Sequence, residues 1–347
     1  MRCVLLLACL CACQSARPPH TAHWQPGMGL VLASNYESSS LDAFSLTDPP
    51  TLTQNLLVAS GDAVLRVLDD HTPVLLNRGH DSNLLALNHD FSIAAQVSLP
   101  LCGPHDVVRL DSGEWLLTCY ERSVLMVVGD SIREIDLSAL NDADGVAELD
   151  AMARLGDKIY VSVQNLDRRN GWVPSRPGRL VVLSQDLAVQ SVIDLPCLNP
   201  FTRLASTNDA LFVGCAGNFK APGQAALVQI QNDQATLLAD ENTLGGQPLE
   251  LRAANDRLFM IVAQPDPHQP LRTSQSTVVE RNAEGFVQRA AVPGFSLGGL
   301  AADALHVYFG NRTATDTAGL WSFDRLRTSA DGPYPTSLPP LGIDVWE

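Results

Sequence analysis

The chain has 347 residues, 46% of them apolar and 18% charged, a balance that supports a buried core and excludes general disorder. Lysine and arginine total 23 against 38 acidic residues, a formal charge of −15; a nucleic-acid binder would carry a basic patch or stripe, so nucleic acid is not an expected partner and solubility is favoured. Glycine and proline are spread along the chain as in a folded, turn-rich protein, and the length allows about two average domains or one large repetitive one.

Residues 1–16, MRCVLLLACLCACQSA, have one basic residue, an apolar run from Val4 to Ala12 and small residues before a cysteine. About ten apolar residues reach ~15 Å as helix, half of a bilayer core, so residues 1–12 read as a signal peptide rather than a membrane span. Leu10-Cys11-Ala12-Cys13 resembles the bacterial lipobox, and the resemblance implies cleavage before Cys13 and lipid on its side chain. Such acyl chains anchor by burying methylenes at ~0.8 kcal/mol each. Leu6-Leu7-Ala8-Cys9 fits the same pattern with a shorter apolar region, and an ordinary secretory signal cleaved near Ala16 is the competing reading. Gln14 stands where aspartate is associated with inner-membrane retention, which points to the outer membrane of a cell envelope. Residues 13–27, polar and proline-containing, read as a tether.

From residue 28 onward one strand pattern recurs: VLASN at 31–35, VLLN at 74–77, WLLTC at 115–119, IYVSVQN at 159–165, LFVGC at 211–215, LFMIVAQ at 258–264 and HVYFGN at 306–311. After a loop, each is followed by another strand, starting at Leu41, Leu84, Val124, Leu180, Leu227, Thr277 and Leu320. Those starts lie 40 to 56 residues apart, the period of one four-stranded propeller blade. Further strands precede six of the pairs, from Asp62, His105, Asp150, Phe201, Leu249 and Ser296, and weaker outer strands follow. Blade 1 lacks an inner strand, while LPPLGIDVW at 338–346 mimics LPLCGPHDVV at 99–108. The expectation is an all-β, seven-bladed propeller over residues 28–347, closed by the C-terminal strand pairing into the first blade, which removes an exposed edge.

This organisation resembles the YVTN-type β-propeller repeat family, whose name describes an aromatic/aliphatic strand ending in Asn. Asn35, Asn77, Asn165 and Asn311 stand at that position, while blades 3, 5 and 6 carry Cys119, Cys215 and Gln264 close to it. Together with the lipobox, the resemblance implies a cell-envelope lipoprotein; it implies no activity, because the fold hosts many.

Beyond the signal and Cys13, four cysteines lie in an oxidising compartment, allowing two disulfides in three connectivities. Cys102 and Cys119 are opposed about the Asp111-Ser112 turn, and Cys197 and Cys215 about Ser206, each pair across the first two strands of a blade. The expected disulfides are therefore Cys102–Cys119 and Cys197–Cys215.

Loops between second and third strands all emerge on one face, short in blades 1 to 3 and long in blades 4 to 7. They gather Arg78, Arg122, Arg168, Arg169, Arg176, Lys220, Arg272 and Arg312, interleaved with Tyr36, Tyr120, Trp172 and Phe219. Arginine forks carboxylate and phosphate while exposed rings stack, so one reading is a face that binds a protein or glycan. The other is solvated loops with internal ion pairs worth ~0 to 1 kcal/mol each.

Asp142-Ala143-Asp144-Gly145 with Glu148 begins a calcium-loop spacing but lacks its third acid. A carboxylate–arginine network with Arg168 and Arg169 is preferred there over calcium, and no cofactor is expected. Arg66, Arg109, Arg154, Arg203 and Arg252 recur near the far end of inner strands, a pattern read as structural around the channel. No GxSxG, HExxH or P-loop occurs. The preferred function is a non-enzymatic, monomeric, lipid-anchored propeller binding through its long-loop face. The alternative is a metal-dependent, lactonase-like hydrolase with Asp62, His105, Asp106, Asp150 and Glu250 aimed at a central ion.

Overall fold

The computed structural model describes residues 22–79, 82–219, 221–255, 257–325 and 329–347. Seven four-stranded antiparallel sheets form the blades of a propeller. Six blades run outward along the chain; blade 1 takes Met28–Ser34, Ser38–Ser45 and Leu52–Ser60 from the N-terminal side and its inner strand, Pro340–Trp346, from the C-terminus. Val31 stands opposite Ile343 in that closing pair. Ring closure is therefore as the repeat pattern predicts.

Blade stacking explains the sequence pattern. Second and third strands are covered on both faces by neighbouring blades, so Val74, Leu75 and Leu76 are all buried in succession, giving the continuous apolar runs that mark such strands. Outer strands such as Ile93–Ser98 have one solvated side and a weaker pattern. Cores lie between adjacent blades: Val31, Phe44, Tyr308, Leu320 and Ile343 join blade 7 to blade 1. Gly299 admits the closing strand, because a Cβ there would meet Ile343 Cγ1 at 2.9 Å and its φ is +70°.

Both expected disulfides are present, Cys102–Cys119 with Cα atoms 4.5 Å apart and Cys197–Cys215 with 6.0 Å. Three elements differ from the sequence reading. The blade 5 inner strand is regular only over Ala205–Ser206, since Phe201 and Thr202 both donate their N–H groups to the Gly214 carbonyl. The long blade 6 loop is a ladder, Arg257–Asp266 paired with Gln269–Asn282; its prolines mask strand propensity, and the neighbouring strand supplies the pairing. Trp24, read as tether, is 1% exposed and packs on Trp346 with centroids 5.4 Å apart.

Deleting residues 340–347 would leave the Met28–Ser34 edge unpaired. The truncated chain is expected to lose the single cooperative thermal transition and to aggregate; calorimetry showing an unchanged transition would contradict closure as the stabilising step.

Candidate functional site

Inner strands descend from an upper face, which carries the second-to-third-strand loops, to a lower face. Because repeats place arginine at the same depth, Arg66, Arg203 and Arg252 enter the channel together. Arg66 Nε meets Asp106 Oδ1 at 2.5 Å, Arg203 Nη1 meets Asp344 Oδ2 at 2.8 Å, and Arg252 Nη1 meets Glu250 Oε1 at 2.5 Å. Arg203 and Arg252 also donate to the carbonyls of Leu65 and Ile343. Three guanidiniums and three carboxylates thus plug the channel. Burial raises the Asp344 carboxyl, but Arg203 and Arg252 hold it below the ordinary carboxylate range. Burial and the nearby Arg203 charge push Arg252 down to about 10. Arg109 and Arg154 leave this layer: Arg109 lies over the Trp115 ring and Arg154 pairs with Asp111 on the lower rim.

Above the plug is a mouth cavity of about 260 Å³. His105 Nδ1 donates to Asp150 Oδ1 at 2.8 Å, Gln164 Nε2 donates to Asp150 Oδ2 at 2.6 Å, and Tyr120 Oη donates to Gln164 Oε1 at 2.8 Å. The Tyr120 ring stacks on His105 at 4.0 Å. Burial lowers the His105 pKa despite Asp150, so the ring is neutral near pH 7 and its Nε2 accepts from Arg78 Nη1 at 3.3 Å. Arg78 in turn pairs with Asp62.

These contacts decide how the five candidate metal ligands are used. Asp62 is held by Arg78, Asp106 by Arg66 and the Met152 N–H, Asp150 by His105 and Gln164, and Glu250 by Arg252. Among the described residues no group of three or more His, Cys, Asp or Glu converges as a metal site. Three of the four carboxylates are paired with guanidiniums and Asp150 is held by His105 and Gln164, so the donor set does not fit a central ion, which would have to displace these partners.

On the upper face, Glu148 pairs with the Arg168 guanidinium, while Asp142 and Asp144 accept from N–H and hydroxyl groups of the surrounding loops. Arg168 Nε meets Glu148 Oε1 at 3.0 Å, its N–H donates to Asp144 Oδ2 at 2.8 Å, and its Nη1 meets Glu121 at 2.5 Å. Ser175 Oγ donates to Asp142 Oδ2. Burial pushes Glu148 up to about 7 against the bonds from Leu166 and Arg168. Arg169 and Arg176 donate to carbonyls of the 140–144 segment, and Arg312 straps Ser34, Pro339 and Pro340 of the closure. Arg122 pairs with Glu134. The expected cationic rim is thus largely an internal brace. Arg272 differs: it is exposed and makes no hydrogen bond or ion pair among the described residues. Lys220 and Cys13 lie outside the described residues.

The uncommitted chemistry of this face is aromatic. Tyr36, Trp172, Phe201, Phe219 and Phe295 are the exposed aromatic side chains among the described residues, and all five lie on the upper face. Tyr120 instead turns inward onto His105. Sequence reasoning missed Phe201 and Phe295, although both sit in outer-to-inner connections, which emerge on this same face.

No family model matches the chain, and no curated protein matches it. Solved structures do. A protein from Lactobacillus plantarum is 14% identical, covering 92% of this chain and 99% of its own, with a TM-score of 0.65. Virginiamycin B lyase from Staphylococcus aureus is 13% identical over 80% and 86%, TM-score 0.57. The β-propeller domain of the Trilobed protease from Pyrococcus furiosus is 8% identical over 92% and 98%, TM-score 0.56. At these identities the likeness shows the fold, a β-propeller.

Arg203→Met would leave Asp344 without its paired guanidinium in the channel and is expected to cost about 3–5 kcal/mol at neutral pH by urea unfolding. Because the Asp344 pKa is depressed in the fold, its contribution is present above about pH 4 and lost as pH falls, so the gap to wild type should narrow in acid. Glu148 has the opposite sign: its raised folded pKa means stability is lost as pH rises from about 4.5 to about 7. Glu148→Gln should remove that slope; an unchanged pH profile would show that Glu148 is ionised throughout.

Proposed function

We propose that the protein is an exported, monomeric, lipid-anchored binding propeller of the YVTN type, held in the cell envelope through Cys13 and recognising a protein or glycan on its upper face. The observation that carries this reading is the segregation to that face of all five exposed aromatic side chains among the described residues, since exposed rings mark recognition surfaces. Two disulfides fit an oxidising compartment, and among the described residues no helix is long and apolar enough to cross a membrane.

Trp24 supplies the orientation. Its N–H and Nε1 donate to the carbonyls of His89 and His71, both in lower-face turns, at 2.6 and 2.7 Å. The chain therefore enters the ring from below. Eight residues separate Cys13 from the first described residue, a reach of at most about 32 Å. A lipid on Cys13 would hold the lower face towards the membrane and present the upper face away from it.

Catalysis is the second reading, and the His105–Asp150 pair facing the mouth cavity is what favours it. Arg78, however, occupies His105 Nε2, the atom that would take a proton. Binding is accordingly preferred.

Replacing Trp172, Phe219 and Phe295 together by serine is expected to abolish retention of an envelope partner on the immobilised protein, with Leu305→Ser on the lower face as control. Equal recovery by all three proteins would overturn the upper-face reading.

A further inference from the structure

A cavity of about 750 Å³ lies on the upper face between blades 5, 6 and 7. One wall is the blade 6 hairpin. Its flanking strands stop at Gln247, paired with Ala263, and at Pro293, paired with Gln275, so residues 264–266 and 269–274 stand above the ring. Facing it are two exposed rings. Phe219 is held edge-on by Phe201 at 5.7 Å, and Phe295, 62% exposed, follows Gly294, whose N–H donates to the Ser274 carbonyl at 2.9 Å. Gln247, Asp266 and Arg272 line the groove between them.

We propose that this groove binds an acidic oligosaccharide, one bearing a sugar carboxylate. The inference rests on the upper-face binding reading and names its ligand class. Exposed rings offer flat apolar surfaces for the C–H faces of sugars, while the planar Gln247 side chain and Oδ2 of Asp266, whose Oδ1 accepts from the His268 and Gln269 N–H groups, suit hydroxyls. Arg272 supplies the positive charge. The other described arginines of this rim are spent on carboxylates or carbonyls, whereas its guanidinium has no such partner among the described residues and can fork an incoming carboxylate. The cavity also falls within the size range of ligand sites, roughly 300–1,000 Å³. A protein anchor would favour a deep, desolvated pocket; this groove is open and flanked by polar side chains.

Calorimetric titration of the full mature protein with trigalacturonate and with 3′-sialyllactose, each against its neutral counterpart (the methyl ester and lactose), tests the assignment. Wild type is expected to bind at least one acidic probe at least tenfold more tightly than its neutral partner. Arg272→Gln should erase that preference, Phe295→Ala should weaken both forms, and Arg122→Gln, elsewhere on the same face, should change neither. Arg272 and Phe295 are exposed and Arg122 is half-buried, and unchanged melting would confirm folding. Wild type binding neither acidic probe, or Arg122→Gln matching Arg272→Gln, would overturn the proposal. If it fails while the serine triple variant still loses its envelope partner, only the glycan assignment falls; if the triple variant also retains its partner, the upper-face reading falls with it.

Discussion

The pairing of Pro340–Trp346 with Met28–Ser34 is the contact on which the remaining structure depends. Without it Met28–Ser34 of the first blade and the C-terminal strand would each present an open edge. The same strand carries Ile343 into the core between blades 7 and 1 and Asp344 into the channel, where it meets Arg203 of blade 5. Closing the ring and closing the channel are therefore one event. Trp346, at the lower end of the strand, completes it by seating Trp24 and so setting where the N-terminal segment leaves the ring.

Charge in this molecule is spent mostly inwards. Only two of the 23 cations are lysine, and the arginine contacts suggest why. Arg168 reaches Glu121, Glu148 and a carbonyl at once, Arg203 joins Asp344 to the Leu65 carbonyl, and Arg312 ties three carbonyls across the closure. A planar fork with five donors can bridge strands in this way, whereas a lysine ammonium is a point charge on a flexible stem. With the arginines committed, the binding character of the upper face falls to its exposed rings and to Arg272.

Much of the architecture was legible before any coordinates. Strand recurrence at 40 to 56 residues, the spare C-terminal strand and the opposed cysteine pairs depend on local periodicity and hairpin geometry. The site was less legible. Arg66, Arg203 and Arg252 were recognisable as a repeated feature, but Arg109 and Arg154 belong to the same sequence pattern and turn away to Trp115 and Asp111. Phe295 and the blade 6 hairpin were hidden for different reasons, the one in a short connection and the other behind its prolines.

The sequence by itself determined the number of blades, their order, the closure and the disulfides, because each follows from spacing along one strand or between adjacent strands. Only the tertiary structure decided which charges are spent and which are free. Arg66 finds Asp106 in the next blade, and Arg203 finds Asp344 at a separation of 141 residues. Such partners are chosen by where the ring brings side chains together, and no periodicity along the chain encodes that choice.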